Sequence, residues 1–245
     1  MRCRSLFASV VPLAWSVPLV ADRTSDHWSY SGATGPEHWG ATCRAGKAQS
    51  PIDIRTAETS RRKLPVLAFN YRPGPLRIID NGHSVQVNVA NGSMLSVGDA
   101  RFRLIQFHFH RPSEETINGR HSDMVVHLVH RDSEGRLAVV AVLLQGGADN
   151  SAIATVWRHL PLEKEREVSP TDVTINPAEL LPASRAYFTY MGSLTSPPCT
   201  ESVRWFVLKA PVSISAGALR KFGALYPANA RPTQPLNGRE VLASK

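Results

Sequence analysis

The chain has little of what characterises a membrane protein or a nucleic-acid-binding protein. After residue 21, no apolar run of the 245-residue sequence is long enough to cross a bilayer. The formal net charge is +8, but the Lys and Arg residues are scattered apart from Arg61-Arg62-Lys63. They are not clustered and interleaved with aromatic residues, as a nucleic-acid groove requires. We therefore predict no nucleic-acid partner and no membrane partner, and expect a small-molecule substrate.

The N-terminal segment differs in composition from the rest of the chain. Arg2 and Arg4 precede an apolar stretch at residues 6–20 that is short and interrupted by proline. This is the plan of a secretory signal peptide. We predict a signal peptide at residues 1–21, a single mature domain at residues 22–245, and a periplasmic or secreted location.

Cysteine is scarce as well, with three residues in the whole chain. Because Cys3 lies in the predicted signal peptide, its removal would leave Cys43 and Cys199 as a candidate pair. Export to an oxidising compartment would permit a disulfide between them.

Turn signals and alternating apolar residues are frequent, and they predict a β-rich fold. Asn-Gly pairs, which favour tight hairpin turns, separate strand-like runs, and no internal repeat or linker divides the chain. Helical spacing occurs twice, in Ile153 to Leu160 behind the N-cap candidates Asp149 to Ser151, and in Leu219 to Tyr226 behind Ser215. We predict one α+β, mainly β domain, in which short helices flank an antiparallel-rich sheet. The Asn-Gly pairs are Asn81-Gly82, Asn91-Gly92 and Asn118-Gly119, and the main strand-like runs are residues 103–110, 124–130, 137–144 and 203–208.

Histidines on two of these runs suggest a metal site. His108 and His110 are two residues apart in a strand, so their side chains share one face. A third ligand could come from the next run, which offers His127 and His130 on opposite faces, and periodicity does not choose between them. Three neutral imidazoles that leave a fourth position to water describe a catalytic zinc site, whereas His-x-His alone also occurs by chance in strands.

Several longer motifs place these histidines in a family context. The sequence resembles the α-class carbonic anhydrases, of the exported bacterial type, over nearly the whole chain after about residue 27. The resemblance implies a ten-stranded, mostly antiparallel, twisted central sheet and makes His127 the third zinc ligand, with His130 on the other face. The motifs are Gly35-Pro36-Glu37-His38-Trp39-Gly40, Gln49-Ser50-Pro51-Ile52-Asp53-Ile54, Asn81-Gly82-His83, Gln106 to His110, His127 to His130, Ser193 to Pro198 and Arg231 to Leu236.

The resemblance also implies a reaction and a set of catalytic residues. A zinc-bound hydroxide would attack carbon dioxide and give bicarbonate and a proton, in a reversible reaction. Thr195 would orient the hydroxide and donate a hydrogen bond to Glu114, and His83 would carry protons to solvent, since imidazole titrates near pH 6.5. No macromolecular partner is implied, and the protein would be a monomer or a homodimer.

Further residues are implied to support this site. Gln106 and the backbone carbonyl of Asn229 would hold the outer nitrogens of the first two ligands, and Cys43 and Cys199 would form a disulfide. The predicted substrate-binding residues form a mostly apolar pocket for carbon dioxide. They are Thr195, Ser196, Val129, Val139, Leu194, Val203 and Trp205.

Two positions depart from the family pattern. Val125 stands where the family has a Glu that accepts a hydrogen bond from the third ligand, and Glu115 stands where many members have His. Loss of such an acceptor typically costs about 10–100-fold in metal affinity or activity. We therefore expect weaker zinc retention or slower catalysis unless another acceptor or a water molecule replaces it. Two alternative functions for the same sequence are a non-catalytic binding protein on this scaffold and a zinc hydrolase that acts on esters.

Overall fold

A large sheet dominates the computed structural model, which describes residues 27–245. Eleven strands form it, in the order β2-β16-β14-β15-β12-β11-β8-β6-β5, with β7 also paired to β8 and β3 paired to β7. The strands are β1 Asp53–Ile54, β2 Ser60–Arg61, β3 Leu67–Asn70, β4 Gly74–Pro75, β5 Ile78–Asp80, β6 Val85–Asn88, β7 Met94–Val97, β8 Ala100–His110, β9 Thr116–Ile117, β10 Arg120–His121, β11 Met124–Arg131, β12 Leu137–Gly146, β13 Thr174–Ile175, β14 Tyr187–Ser193, β15 Glu201–Ile214 and β16 Leu242–Ala243.

The pairing directions agree with the predicted fold class. Within residues 27–245, neighbouring strands of the large sheet run antiparallel except for β12 with β15 and β16 with β2. The predicted α+β, mainly β domain with a mostly antiparallel sheet is confirmed. The sheet has eleven strands rather than the expected ten, because two-residue segments such as β2 and β16 also pair. The signal peptide predicted at residues 1–21 lies outside the described residues.

The sheet separates two apolar cores, and period-two alternation decides which side chains enter each one. Phe107, Phe109 and Leu128 point into the larger core, which the helices cover. Val125 and Val129 point to the opposite side, into a smaller core. Because β11 is buried on both faces, every side chain from Met124 to His130 lies in an apolar or hydrogen-bonded environment, and His127, on the smaller-core side, is shielded from bulk solvent.

Two of the three α-helices begin where the sequence predicts them. In α2, Ser151–Arg158, the Asn150 side chain accepts a hydrogen bond from the backbone N–H of Ile153. In α3, Ala216–Leu225, the Ser215 side chain caps the N-terminus in the same way. The ring of Trp157 in α2 stacks on that of Phe222 in α3, with centroids 5.6 Å apart. The remaining helices are short: α1 Ala41–Ala45 and 3-10 turns at Gly32–Thr34, Pro36–His38, Thr56–Glu58 and Pro177–Leu180. None of the helices in the described part of the chain is long and apolar enough to cross a membrane.

Candidate metal centre

Three histidines converge on the smaller-core side of the sheet. In the antiparallel pairing of β8 with β11, His127 lies directly opposite His108, and His110 lies one step along the same face. One ring nitrogen from each of His108, His110 and His127 lies within 4.8 Å of the others. His130 points to the other side, where its Nε2 is 2.7 Å from the hydroxyl of Tyr71. Strand register thus selects His127 and leaves His130 in the core.

Each converging imidazole has an oxygen acceptor on its outer nitrogen. His108 Nδ1 donates to the side-chain oxygen of Gln106 at 2.8 Å, and His110 Nδ1 donates to the backbone carbonyl of Asn229 at 2.7 Å. His127 Nε2 donates to a carboxylate oxygen of Glu115 at 3.3 Å. Amide, carbonyl and carboxylate oxygens accept, so the outer nitrogens carry the protons and the inner nitrogens keep lone pairs. This arrangement fixes the tautomer that metal binding needs.

The electrostatics of the cluster suit a bound cation. Burial lowers the pKa of His108 to about 3 and that of His110 well below its usual value, so both rings are neutral at pH 7. Burial also opposes the charged form of His127, but the carboxylates of Glu115 and Glu114 outweigh that effect and raise its pKa. His110 Nε2 is buried without a hydrogen-bond partner among the described residues. A metal ion at the centre of the cluster would satisfy this nitrogen, so the residues fit a metal with imidazole ligands.

Glu114 lies beneath the histidines, fully buried. One of its oxygens accepts a hydrogen bond from the backbone N–H of Arg231 at 2.8 Å, and the side chain of Thr195 is near enough to lower the pKa of the carboxyl. The second oxygen is 3.6 Å from His110 Nε2 and 3.8 Å from His127 Nδ1. Burial raises the pKa of Glu114 to about 7. In the sequence, Glu114 stands in Pro112-Ser113-Glu114-Glu115, which is typical of a solvated loop acid, yet the loop folds inward and buries it.

An apolar surface lies beside the histidine cluster. Cross-strand pairing sets Val129 opposite Val139 and Val139 beside Trp205, so three neighbouring strands supply one continuous row. The rings of His127 and Trp205 are 4.9 Å apart, centroid to centroid. Val203 belongs to the same buried cluster, and the half-buried Leu194 packs against it. The five apolar residues expected to line a pocket are therefore brought together next to the histidines.

A family model described as eukaryotic-type carbonic anhydrase matches residues 34–245. The chain belongs to the carbonic anhydrase family. The resemblance drawn from the motifs is thereby confirmed, and so is the expectation that the protein is an enzyme of this family.

Bacterial carbonic anhydrases are similar along most of the chain. A carbonic anhydrase from a Nostoc species is 42% identical over 225 residues, which cover 88% of this chain and 85% of the relative. One from Pectobacterium carotovorum is 42% identical over 241 residues, covering 95% and 97%. The solved α-carbonic anhydrase of Thermovibrio ammonificans, in complex with the inhibitor sulfanilamide, superimposes with a TM-score of 0.84 at 41% identity, covering 89% of this chain and 99% of that one.

His83 is linked to the histidine cluster through Asn229 in this carbonic anhydrase fold. It follows the Asn81-Gly82 turn, where the Asn81 side chain accepts a hydrogen bond from the backbone N–H of His83 at 3.0 Å. The Asn229 side chain donates to the carbonyl of His83 at 2.9 Å, while the Asn229 carbonyl serves His110. The His83 ring stacks on Trp28 with centroids 3.6 Å apart and planes at 9°. Burial, followed by the nearby His27, lowers the pKa of His83.

The loop that carries Thr195 is tied to the N-terminal part of the domain. Cys43 and Cys199 form a disulfide, as expected, with Cα atoms 5.0 Å apart. The Thr195 side chain is largely buried, and Ser196 beside it is half-buried with its carbonyl accepting from the backbone N–H of Cys199 at 2.8 Å. The loop conformation around Thr195 is therefore set partly by the disulfide.

Sequence reasoning missed two residues that organise the site. The Arg231 guanidinium is buried and donates to the carbonyls of Cys43 and Ser50 at 2.6 and 2.7 Å. Gln49 accepts from Arg231 at 2.9 Å and donates to the carbonyl of Cys199 at 3.1 Å. Both residues stand in the quoted family motifs, which was the available signal, although no role was assigned to them.

Proposed function

We propose that this protein holds one zinc ion through His108, His110 and His127 and interconverts carbon dioxide with bicarbonate and a proton. The observation that carries the proposal is the convergence of three inner imidazole nitrogens within 4.8 Å, each ring held from outside by an oxygen acceptor. Three nitrogen ligands with an open fourth position are typical of catalytic zinc. The cysteines in the described residues are joined in a disulfide, so they offer no thiolate for a closed structural site.

A zinc ion held by these three histidines would lower the pKa of a bound water to about 7 and so would supply a nucleophile at neutral pH. The residues around it would orient that nucleophile. Thr195 would direct its hydroxyl proton to the nearby Glu114, and its oxygen would then be left to accept a hydrogen bond from the attacking water. One lone pair of the water then points toward the substrate, and such orientation removes much of the entropic barrier.

The apolar row beside the histidines is suited to carbon dioxide, which has no net dipole. Val129, Val139 and Trp205 are almost fully buried within the cluster they form. Carbon dioxide would therefore bind against an apolar wall that holds water only weakly. Leu194 and Val203 would complete the pocket, with Thr195 and Ser196 at its polar side.

Turnover also requires that a proton leave the site. His83 is half-buried at the rim, and Asn229 connects its backbone to the ligand His110. In its neutral form His83 can accept a proton, and in its charged form it can release the proton to buffer.

An exported location is consistent with two features. The N-terminal 21 residues have a signal-peptide pattern, and the Cys43–Cys199 disulfide is of a kind that persists in oxidising compartments. We propose a periplasmic or secreted enzyme that acts on small molecules.

Stopped-flow hydration of carbon dioxide, combined with metal analysis, tests the proposal. Protein loaded with one equivalent of zinc should hydrate carbon dioxide, and removal of zinc by dipicolinate should abolish this. His127→Ala should lose both zinc and activity, whereas His159→Ala, at the end of α2 and away from the cluster, should keep both. Zinc-loaded wild-type protein without hydration activity would refute the proposal and favour a non-catalytic binding role.

A further inference from the structure

We infer that Glu115 supplies the carboxylate that position 125 lacks, and that it positions His127 for metal binding. The inference rests on the proposed zinc site and concerns how one of its ligands is held. Its central observation is the hydrogen bond from His127 Nε2 to Glu115 Oε2 at 3.3 Å, between two side chains that are fully buried.

Val125 leaves a gap in the polar network that Glu115 fills. Val125 lies two residues before His127 on the same strand, so the two side chains share a face of the sheet. Its side chain is buried with Ile52 and Ile54 and has no acceptor atom. Without another group, the Nε2–H of His127 would be a buried donor with no partner, which is costly. Glu115 reaches this hydrogen from the loop that follows β8.

The two adjacent glutamates divide the work around one imidazole ring. Glu114 approaches His127 on the inner side, 3.8 Å from Nδ1, and its other oxygen accepts from the backbone of Arg231. Glu115 approaches the outer side, at Nε2. Glu114 therefore cannot replace Glu115, because its oxygens face the metal side of the ring.

The backbone around Glu115 is fixed on both sides, as a positioning group requires. The Ser113 hydroxyl donates to the Glu115 carbonyl at 2.8 Å and accepts from the backbone N–H of Ser122 at 2.9 Å. On the other side, Thr116 begins β9, which pairs in parallel with β1, and its hydroxyl donates to the Asp53 carboxylate at 2.7 Å. Glu115 is held between these two anchors, so its carboxylate is pre-organised rather than free to turn toward solvent.

The chemistry of the contact distinguishes His127 from the other two ligands. Gln106 and the Asn229 carbonyl are neutral acceptors, whereas a carboxylate accepts more strongly and makes the opposite ring nitrogen a better electron donor. Glu115 therefore both selects the tautomer with a lone pair on Nδ1 and strengthens His127 as a ligand.

Zinc affinity, measured by competition with a chelator, tests this assignment without relying on activity. Glu115→Ala should weaken zinc binding by about 10–100-fold and speed zinc dissociation. Glu115→Gln, which keeps the shape and one neutral acceptor oxygen, should fall between wild type and Glu115→Ala. Glu134→Ala, which removes an exposed loop carboxylate, should bind zinc as the wild type does.

Moving the carboxylate to position 125 separates a positioning role from simple packing. The double variant Glu115→Ala/Val125→Glu should recover at least about tenfold of the affinity that Glu115→Ala loses, because the acceptor returns to His127 from the strand. Val125→Glu alone should bind zinc no more tightly than wild type, since Nε2 has a single proton to donate. Circular dichroism of each zinc-free variant checks that the fold is kept.

The outcomes distinguish this inference from the proposed function. Wild-type protein that binds no zinc would refute the proposed function itself. Wild-type protein that binds zinc, with Glu115→Ala and Glu115→Gln unchanged in affinity, would refute the role of Glu115. Loss of affinity in Glu115→Ala with no recovery in a folded double variant would show that Glu115 acts by filling space, and would also overturn the inference. If Glu115→Ala does not fold, unchanged affinity of Glu115→Gln together with an unchanged His127 Nε2–H signal in nuclear magnetic resonance decides against it.

Discussion

The disulfide between Cys43 and Cys199 closes a long covalent loop, so its removal should lower the stability of the folded protein considerably. The bridge joins α1 to the loop that carries Thr195, across a sequence separation of 156 residues. Replacing both cysteines by serine leaves the surrounding hydrogen bonds available, because Arg231 and Gln49 bind the backbone carbonyls of the two residues and not their side chains.

The expected magnitude follows from the length of that loop. In the chain-entropy model, a bridge closing roughly 156 residues lowers the entropy of the unfolded chain by about 17 cal/mol/K, or about 5 kcal/mol at 25 °C. Residual structure in the unfolded chain and relaxation of the folded one reduce this figure, so we expect Cys43→Ser/Cys199→Ser to lose about 2–5 kcal/mol. Because native contacts around the bridge persist, most of the change should come from the unfolded state.

Urea unfolding at equilibrium, followed by tryptophan fluorescence, measures this difference. The zinc-free proteins should be compared, since bound zinc would stabilise the folded state by mass action and obscure the result. With a urea dependence of about 3 kcal/mol/M, the unfolding midpoint should fall by about 0.7–1.7 M. Dithiothreitol should shift wild-type protein toward the variant and leave the variant unchanged. A variant within about 0.5 kcal/mol of oxidised wild type would contradict the reasoning.

Three further perturbations address catalysis and acid stability. His83→Ala should slow steady-state hydration of carbon dioxide in weak buffer, and added imidazole should restore the rate. In the wild type the rate should rise with pH through a pKa below 6.5, because burial lowers the pKa of His83 and its neutral form accepts the proton. Thr195→Val should lower kcat/KM by about 100-fold with zinc content unchanged, since the nucleophile loses its orientation; an unchanged kcat/KM would rule out that role. Burial lowers the pKa of His130 to about 4, so the unfolded chain takes up a proton at a higher pH than the folded protein does. The free energy of unfolding should therefore be largest above about pH 6.5 and should fall by up to about 3 kcal/mol as the pH drops toward 4. In urea unfolding, His130→Phe should reduce the decrease of the free energy of unfolding between pH 6.5 and 4. An equally large decrease in the variant would refute the assignment to His130.

Local patterns were sufficient for one part of the site. The placement of His108 and His110 on a shared face depends only on the period of a strand, and the caps of α2 and α3 depend on residues within one turn. The same holds for the alternation that sends Phe107 and Phe109 into the opposite core. These features could be read from the sequence because each is decided by neighbours in the chain.

Other parts of the site depend on contacts between distant segments. Choosing His127 over His130 required the register of β11 against β8, which strand periodicity does not supply. The burial of Glu114 and Glu115 depends on β9 pairing with β1, some sixty residues earlier in the chain. A Glu-Glu pair in a loop between two strands has the composition of a solvated surface, and nothing local marks it as buried.

The combination of a valine at position 125 and a glutamate at position 115 illustrates what a ligand histidine requires of its surroundings. His127 needs an acceptor at one point in space, beside Nε2, and two backbone segments approach that point: β11 from residue 125 and the loop from residue 115. A carboxylate at both positions would bring two negative charges to a single N–H in a buried site, which is costly. A carboxylate at neither would leave that N–H without a partner. The two positions should therefore be energetically coupled, so that the effect of Val125→Glu on zinc affinity changes sign when Glu115 is removed.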